Sequence, residues 1–189
     1  MMAAKKKPAK KIKKTVKKFV KKPVSKQKKK TSAVPKGYHP ITPYLIIDDA
    51  SKAIDFYKKI FGAKIIFCMD LPNGKVTHAD LKIGESHFMI SDSCHEMNMK
   101  GPKSYGGCAM SILLYTKNVD DVVKQAVRAG ATLIKPVENQ FYGDRSGLIE
   151  DPFGHRWCIA THIEDVSSAK LKKRAAEFYK QKSQQGNTE

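Results

Sequence analysis

The chain of 189 residues has no long apolar run and only four cysteines. No segment approaches the roughly 20 consecutive apolar residues that cross a bilayer, and no apolar stretch follows the basic start as it does in a secretory signal. The cysteines are scattered, and no two of them form a Cys-x-x-Cys pair. These absences argue against a membrane-spanning protein, a disulfide scaffold and a zinc site, and we expect reduced thiols in a cytoplasmic protein.

Acidic residues are also missing from the first 36 positions, which hold 16 lysines. This Lys-rich arm carries a formal charge of +16, residues 37–165 carry −2 and residues 166–189 carry +4, which together make the net charge of +18. Like charges and few apolar side chains cannot offset the entropy cost of ordering a chain. We therefore predict a disordered arm over 1–36, a nearly neutral folded domain over 37–165, and a basic C-terminal segment over 166–189.

A short apolar pattern interrupts the lysines of the arm. Ile12, Val16, Phe19 and Val20 recur at the spacing of one helix face. Such a basic amphipathic helix would form only against a partner, either an anionic membrane surface or nucleic acid, and a solvated tail is the alternative. The lysines that would contact such a polyanion are Lys10, Lys11, Lys13, Lys14, Lys17, Lys18, Lys21 and Lys22.

The domain shows the same order of elements twice. Hydrophobic periodicity predicts strands over 41–47, 65–69, 76–83 and 87–91 with a helix over 50–61, then strands over 109–115, 132–137, 146–150 and 156–161 with a helix over 119–127. Glycines recur at matching places, Gly62 with Gly130 and Gly84 with Gly154. The pattern indicates an α+β domain of two tandem βαβββ modules, followed by a further helix over 169–179.

Several segments resemble the vicinal-oxygen-chelate superfamily, which contains glyoxalase I, extradiol dioxygenases, fosfomycin-resistance enzymes and bleomycin-binding proteins. They are T-P-Y-L-I-I-D-D, D-D-A-S-K-A-I-D-F-Y-K-K-I-F-G-A, H-A-D-L-K-I-G-E-S and Y-G-D-R-S-G-L-I-E-D-P-F-G-H-R-W. The chain is most similar to the PhnB-like glyoxalase/bleomycin-resistance branch, over residues 37–165. The resemblance implies an eight-stranded open barrel with a ligand cleft, a homodimer and a small-molecule ligand.

Enzymes of this superfamily hold a divalent metal with four His, Glu or Gln side chains from the first and last strands of each module. Counting from the turn glycines and helix caps places Thr42, Phe88, Ser111 and Cys158 at those positions. None is a His or Glu, and a slip of one residue would bring only His87 into register. We therefore predict no cofactor and no family metal site, although coordination of a divalent metal by other residues stays open.

Four other residues are candidates for a ligand pocket. His78 lies within a predicted strand and is either an acid, base or ligand-binding group, and so the first candidate for catalysis, or a hydrogen-bonded structural histidine. Arg145 either recognises a carboxylate or phosphate or makes a surface contact. Tyr142 is a candidate for the lining of an apolar pocket. Trp157 either lines the same pocket or fills the core.

Three further features either favour a structural role or leave alternatives open. Asp151-Pro-Phe-Gly154 is a β-turn pattern, and Cys158 is expected to be a small buried residue rather than a nucleophile. The long polar connection over 91–107 is either a lid or a mobile linker.

Three functions follow. The first is a small-molecule-binding protein of the bleomycin-resistance type, and the second is an enzyme of the same fold acting on a small polar metabolite. The third is a protein tethered to nucleic acid or membrane through its Lys-rich arm. The missing metal ligands favour binding over catalysis, and the lysines favour tethering beside either.

Overall fold

The computed structural model describes residues 31–185. The strands are β1 (Tyr44–Ile47), β2 (Lys64–Asp70), β3 (Val76–Ile83), β4 (Ser86–Asp92), β5 (Ser111–Tyr115), β6 (Thr132–Asn139), β7 (Asp144–Glu150) and β8 (Arg156–His162). The helices are α1 (Ala50–Phe61), α2 (Val119–Arg128) and α3 (Ser168–Gln185). Residues 1–30, which include all the lysines named above, lie outside the described residues.

Both module helices begin at the residues that the sequence predicts; α1 also ends as predicted, and α2 ends one residue later, at Arg128. The side chain of Asp49 accepts a hydrogen bond from the Lys52 amide, and the side chain of Asn118 accepts one from the Asp121 amide. These caps pair amides that have no partner inside the helix. Helix α1 ends at Gly62, whose φ of 66° is the left-handed conformation that favours glycine.

The predicted duplication is confirmed by the sheet topology. Each module forms one four-stranded sheet, in the order β1-β4-β3-β2 and β5-β8-β7-β6. In each, the first and last strands pair in parallel and the other neighbours are antiparallel. The α+β fold with two βαβββ modules is therefore correct, although β1 and β5 begin later than predicted.

Each sheet has one face toward the core and one open face. Leu81 and Phe88 are buried cross-strand partners on the core face of the first sheet, as Ile149 and Trp157 are in the second. Their neighbours in sequence point to the open face, because successive side chains in a strand alternate. Helix α1 packs on the first sheet and α2 on the second.

The connection between the modules is more ordered than the sequence predicts. Strand β4 runs to Asp92, Cys94 and Met99 form an isolated antiparallel bridge, and Pro102–Tyr105 form a short 3-10 helix. These local hydrogen bonds give most of the connection a defined backbone path. The four cysteines are half-buried and form no disulfide.

Helix α3 is docked on the domain through a small set of contacts. Glu164 binds Arg174 at 2.7 Å and Lys170 at 2.6 Å, and the ring of Phe141 lies 5.1 Å from that of Phe178. The backbone before α3 passes so close to Gly143 that an added Cβ would lie 2.1 Å from the Glu164 carbonyl oxygen. Only glycine fits there, where φ is 101°. The segment from Val34 through α3 belongs to one compact unit.

Candidate ligand cavity

A cavity of about 500 Å³ lies between the two modules. Its walls are the edge strand β5, the β3–β4 hairpin and the segment that precedes β1. The apolar lining residues are Ile41, Pro43, Ile83, Phe88, Ile112, Leu113, Leu114 and Trp157, and the polar ones are His39, Thr42, Ser86, His87 and Tyr115, with Gly84 in the hairpin turn. The cavity therefore has an apolar wall with a few hydrogen-bonding groups.

The pseudo-symmetry of the modules relates this cavity to a second junction between them. Their helix caps, Asp49 and Asn118, lie 69 residues apart in the sequence. At the other junction between the modules, His155 Nε2 reaches the carbonyl oxygen of Ile46 at 3.1 Å. The residue 69 positions before His155 is Ser86, which lines the cavity. A pocket of about 350 Å³ also lies at the second junction, where Ile46 and His155 are part of its lining.

The most structured polar group at the wall is His87. Its Nδ1 lies 3.0 Å from Oδ1 of Asp80, a carboxylate in a residue that is only 2% exposed. The Tyr38 hydroxyl donates to Oδ2 of the same carboxylate, and the Tyr38 ring stacks on the imidazole at 4.2 Å between centroids. The hydrogen bond to Asp80 raises the pKa of Tyr38, so the phenol stays protonated and donates. His87 Nε2 has no partner within residues 31–185 and is not among the buried unpaired atoms.

The counted metal positions do not form a ligand set. Thr42 lines the cavity, Ser111 is exposed at the start of β5, and Cys158 is half-buried on β8. Phe88 packs in the core, with its ring 5.7 Å from that of Tyr57, and also lines the cavity. In the first module, the residue that corresponds to Cys158 is Met89 rather than Phe88. Met89 pairs with Tyr44 on β1, as Cys158 pairs with Leu113 on β5.

The four positions offer no imidazole or carboxylate donor for the family metal, whether Phe88 or Met89 is taken as the fourth residue. Within residues 31–185, no three His, Cys, Asp or Glu side chains are arranged to hold a metal ion. Burial raises the pKa of the Cys158 thiol, which keeps it protonated near neutral pH.

His78 and Tyr142 lie on the open faces, away from the cavity. His78 Nδ1 is 3.1 Å from the Tyr44 hydroxyl, and its ring lies 6.2 Å from that of Phe67. Tyr142 is part of the β6–β7 connection, with its hydroxyl 3.5 Å from Ser146 Oγ. The structure does not bring these two residues together with Trp157 in one pocket.

Arg145 and Trp157 have structural partners. Arg145 reaches both carboxylate oxygens of Asp120, with Nε at 2.8 Å and Nη2 at 2.7 Å, so its guanidinium is bound at the start of α2 and does not line the cavity. Trp157 is 2% exposed, and its indole nitrogen donates to Asp151 at 2.9 Å. Trp157 nevertheless also lines the cavity, so this residue belongs to both the core and the pocket.

The second open face carries a polar cluster around Asp144. Its carboxylate accepts from the Tyr115 hydroxyl at 2.8 Å and lies 2.7 Å from His162 Nδ1. Hydrogen bonds to Asp144 and then Asp165 raise the pKa of His162. Tyr115 links this cluster to the cavity, since it lines both places.

Sequence reasoning missed Tyr38 and Asp80 as partners of His87. One signal was available for Asp80. The Gly84-Glu85 turn pairs Ile83 with Ser86, and alternation then puts Asp80 and His87 on the same face of adjacent strands. No local pattern indicates that Tyr38, 42 residues before Asp80, folds back over them.

Comparison with known proteins identifies the family. Residues 37–159 match the sequence model of the Glyoxalase/Bleomycin resistance protein/Dioxygenase superfamily. The chain belongs to this superfamily. The resemblance carried by the sequence motifs is thereby confirmed for the family, which does not itself specify a ligand or a reaction.

Proteins of known sequence match about two thirds of this superfamily member. The uncharacterized protein Rv0887c of Mycobacterium tuberculosis is 38% identical over 130 residues, covering 67% of this chain and 76% of that protein. YjdN of Escherichia coli is 24% identical over 143 residues, covering 64% of this chain and 93% of that protein.

Solved structures show the same fold. The Arabidopsis thaliana protein At5g48480 is 27% identical with a TM-score of 0.53, covering 65% of this chain and 98% of its own. The PhnB protein of Bacillus cereus is 21% identical with a TM-score of 0.53, covering 65% of this chain and 99% of its own. Among residues 31–185, no helix has the length and apolar character needed to span a membrane.

Proposed function

We propose that this superfamily member binds a small, largely apolar molecule in the cavity between its modules, without the family's metal. The cavity itself carries the proposal. Ligand sites in proteins typically enclose about 300–1,000 Å³ and are mostly apolar, with a few placed polar groups. The volume of about 500 Å³ and the lining residues fit both criteria.

A neutral apolar dye tests the proposal. N-phenyl-1-naphthylamine becomes fluorescent in apolar sites, and we expect saturable binding of one dye per chain. The single tryptophan, Trp157, forms part of the wall, so its emission should change over the same titration.

Two matched substitutions locate the dye. Ser86→Phe puts a ring into the cavity at an exposed rim position and should weaken binding about tenfold or more, whereas Ser111→Phe, at an exposed strand start outside the lining, should leave it unchanged. Equal binding by both variants would contradict the proposal.

We further propose that the protein acts as a homodimer through its open sheet faces. Phe67 and Met69 on the first sheet are 53% and 50% exposed, and Leu113 and Tyr115 on the second are also exposed. Apolar rows of this kind on a folded domain are typical of protein interfaces. The family resemblance supports a second copy of this chain as the partner that covers them.

A further inference from the structure

The polar wall of the cavity indicates what chemical group the ligand carries. We propose that the ligand bears one acidic group, such as a carboxylate or sulfonate, and that His87 Nε2 binds it. This inference rests on the proposed function, since it requires that the cavity be a ligand site. It adds to the proposed function the chemical class of the ligand and the residue, His87, that recognises it.

The first step is the orientation of the imidazole. An ionised carboxylate can only accept hydrogen bonds, so Asp80, which already accepts from the Tyr38 hydroxyl, fixes the proton of His87 on Nδ1. The tautomer follows from this network. Because Nδ1 is committed to Asp80, Nε2 is the atom left for a ligand.

The second step is the charge of the wall. No Asp or Glu is among the described residues that line the cavity, so no carboxylate there repels an anion. Neither Lys nor Arg is present in that lining, which leaves the imidazoles of His39 and His87 as the groups that can carry positive charge. An acidic group on an otherwise apolar molecule would therefore find its partner at one of two rings.

The third step separates the two histidines. His39 is exposed, whereas the His87 side chain is 7% exposed and packed between Asp80 and the Tyr38 ring. The hydrogen bond to the Asp80 carboxylate fixes the orientation of the His87 ring. A ring already oriented by its neighbours loses less freedom when it binds a ligand. These contacts favour His87.

The charged neighbours of His87 leave this assignment intact. Lys82 is its cross-strand partner on β3, and the Lys82 ammonium is bound to Glu85 at 3.1 Å. Tyr38 and Asp80 are the other titratable groups in contact with the ring. The complex holds one proton between His87 Nε2 and the acidic group. A protonated ligand can bring this proton to a neutral ring, or a protonated ring can offer it to an anionic ligand, and the resulting complex is the same.

Two dyes of nearly the same shape test the inference on the full-length protein. 1-Anilinonaphthalene-8-sulfonate carries the anion, and N-phenyl-1-naphthylamine lacks it. The dissociation constants are measured at about 0.3 M salt, which screens the charges of the Lys-rich arm. The comparison is made at about pH 6, close to the ordinary pKa of histidine.

The key variant is His87→Asn, because the asparagine amide can still donate to Asp80 while Nε2 is removed. His95→Asn is the matched control, since His95 is exposed and lies outside this cavity. Asp80→Asn is a second variant that keeps the side-chain shape and removes the charge behind the ring. It decides the question if His87→Asn does not fold, as judged from Trp157 emission.

We expect the wild type and His95→Asn to prefer the sulfonate by about tenfold or more at pH 6, as for a hydrogen bond to a charged group. His87→Asn should bind the neutral dye within about twofold of the wild type and lose the preference, and Asp80→Asn should reduce it.

Two results overturn the inference alone: equal binding of both dyes by the wild type, or an unchanged sulfonate preference in His87→Asn. If neither dye binds, or if Ser86→Phe affects neither, the cavity is not a ligand site. The proposed function then fails together with this inference.

Discussion

The hydroxyl of Tyr57 donates a hydrogen bond of 2.7 Å to the carboxylate of Asp151, 94 positions later in the chain. The bond joins α1 of the first module to the β7–β8 turn of the second. Asp151 also accepts from the Trp157 indole at 2.9 Å and from the amides of Phe153 and His155. The Asp-Pro-Phe-Gly turn that marks the family is therefore a joint between the modules, with its buried charge fully hydrogen-bonded.

Removing the Tyr57 hydroxyl should destabilise this joint. We expect Tyr57→Phe to lower the free energy of unfolding by about 1–3 kcal/mol, because a buried carboxylate loses a donor that no water replaces. Urea denaturation followed by Trp157 emission measures the change. Tyr105→Phe, at an exposed tyrosine, is the control. A difference below about 0.5 kcal/mol between the two variants would show that the bond contributes little.

The sequence predicts the fold well because its signals are local. Helices α1 and α2 begin at the caps Asp49 and Asn118, and α1 ends at Gly62 in its left-handed conformation. All of these contacts lie within a few residues of one another in the sequence. The repeated pattern then requires two similar sheets. The ends of the strands were predicted less accurately, since β1 begins at Tyr44 rather than at residue 41. Pro43, which has no amide proton, precedes it.

The candidate site was predicted less well because it depends on contacts between distant segments. Nothing near Arg145 in sequence indicates that Asp120 binds it on the helix side of the sheet. The count to Phe88 failed because two residues separate the paired ends of β3 and β4, whereas five residues separate those of β7 and β8. The cavity results from how the modules pack.

Acid should release α3 from the domain. Hydrogen bonds from Arg174 and then Lys170 lower the pKa of Glu164 from its ordinary 4.5 to about 2. A carboxyl whose pKa is lowered by folding stabilises the docked helix above its ordinary pKa. This contribution is lost as the pH falls from about 4.5 toward 2.

Hydrogen–deuterium exchange of α3, corrected for the intrinsic rate, should therefore accelerate over that range. Glu164→Gln should show fast exchange already at neutral pH, while Glu177→Gln, within the helix itself, should behave as the wild type. Slow exchange of α3 in Glu164→Gln would show that Phe141 and Phe178 suffice to hold it.

Purified protein should contain no stoichiometric zinc, nickel, manganese or iron. The expectation rests on the donor types at the family positions, where Thr42, Met89, Ser111 and Cys158 offer no imidazole or carboxylate. A ligand that binds only the folded state raises the melting temperature, so a chelator should leave that temperature unchanged. Elemental analysis provides the second readout. A metal present at one per chain, or a melting temperature that drops with chelator, would contradict the prediction.

The open face of the first sheet should mediate dimerisation. Light scattering should give about twice the chain mass of 21.2 kDa. Phe67→Lys combined with Met69→Lys should give a monomer, because it places charge in the centre of an apolar patch. Met97→Lys, at an exposed methionine of the inter-module connection, should leave the dimer intact. A dimer that survives the double substitution would place the interface elsewhere.

The Lys-rich arm should bind polyanions independently of the domain. Residues 1–36 carry +16 and no acidic residue, while residues 37–165 carry −2, so attraction to an anionic surface is confined to the arm. The arm lacks arginine for bidentate contacts with guanine, so its preference for sequence should be slight. On duplex DNA, log K should fall by about 0.9 per phosphate contact on a log-salt scale as counterions are released.

Anionic vesicles are the alternative target, because Ile12, Val16, Phe19 and Val20 could insert once the lysines bind the surface. The test compares the full-length protein with a chain that starts at Gly37, on duplex DNA and on vesicles containing phosphatidylserine, across a salt series. Steep salt dependence that disappears on truncation would support the arm as the binding element. If the truncated protein binds as well as the whole, or if neither surface is bound at low salt, the arm has no binding role, because a charge of +16 that attracts no polyanion serves only to keep the chain soluble.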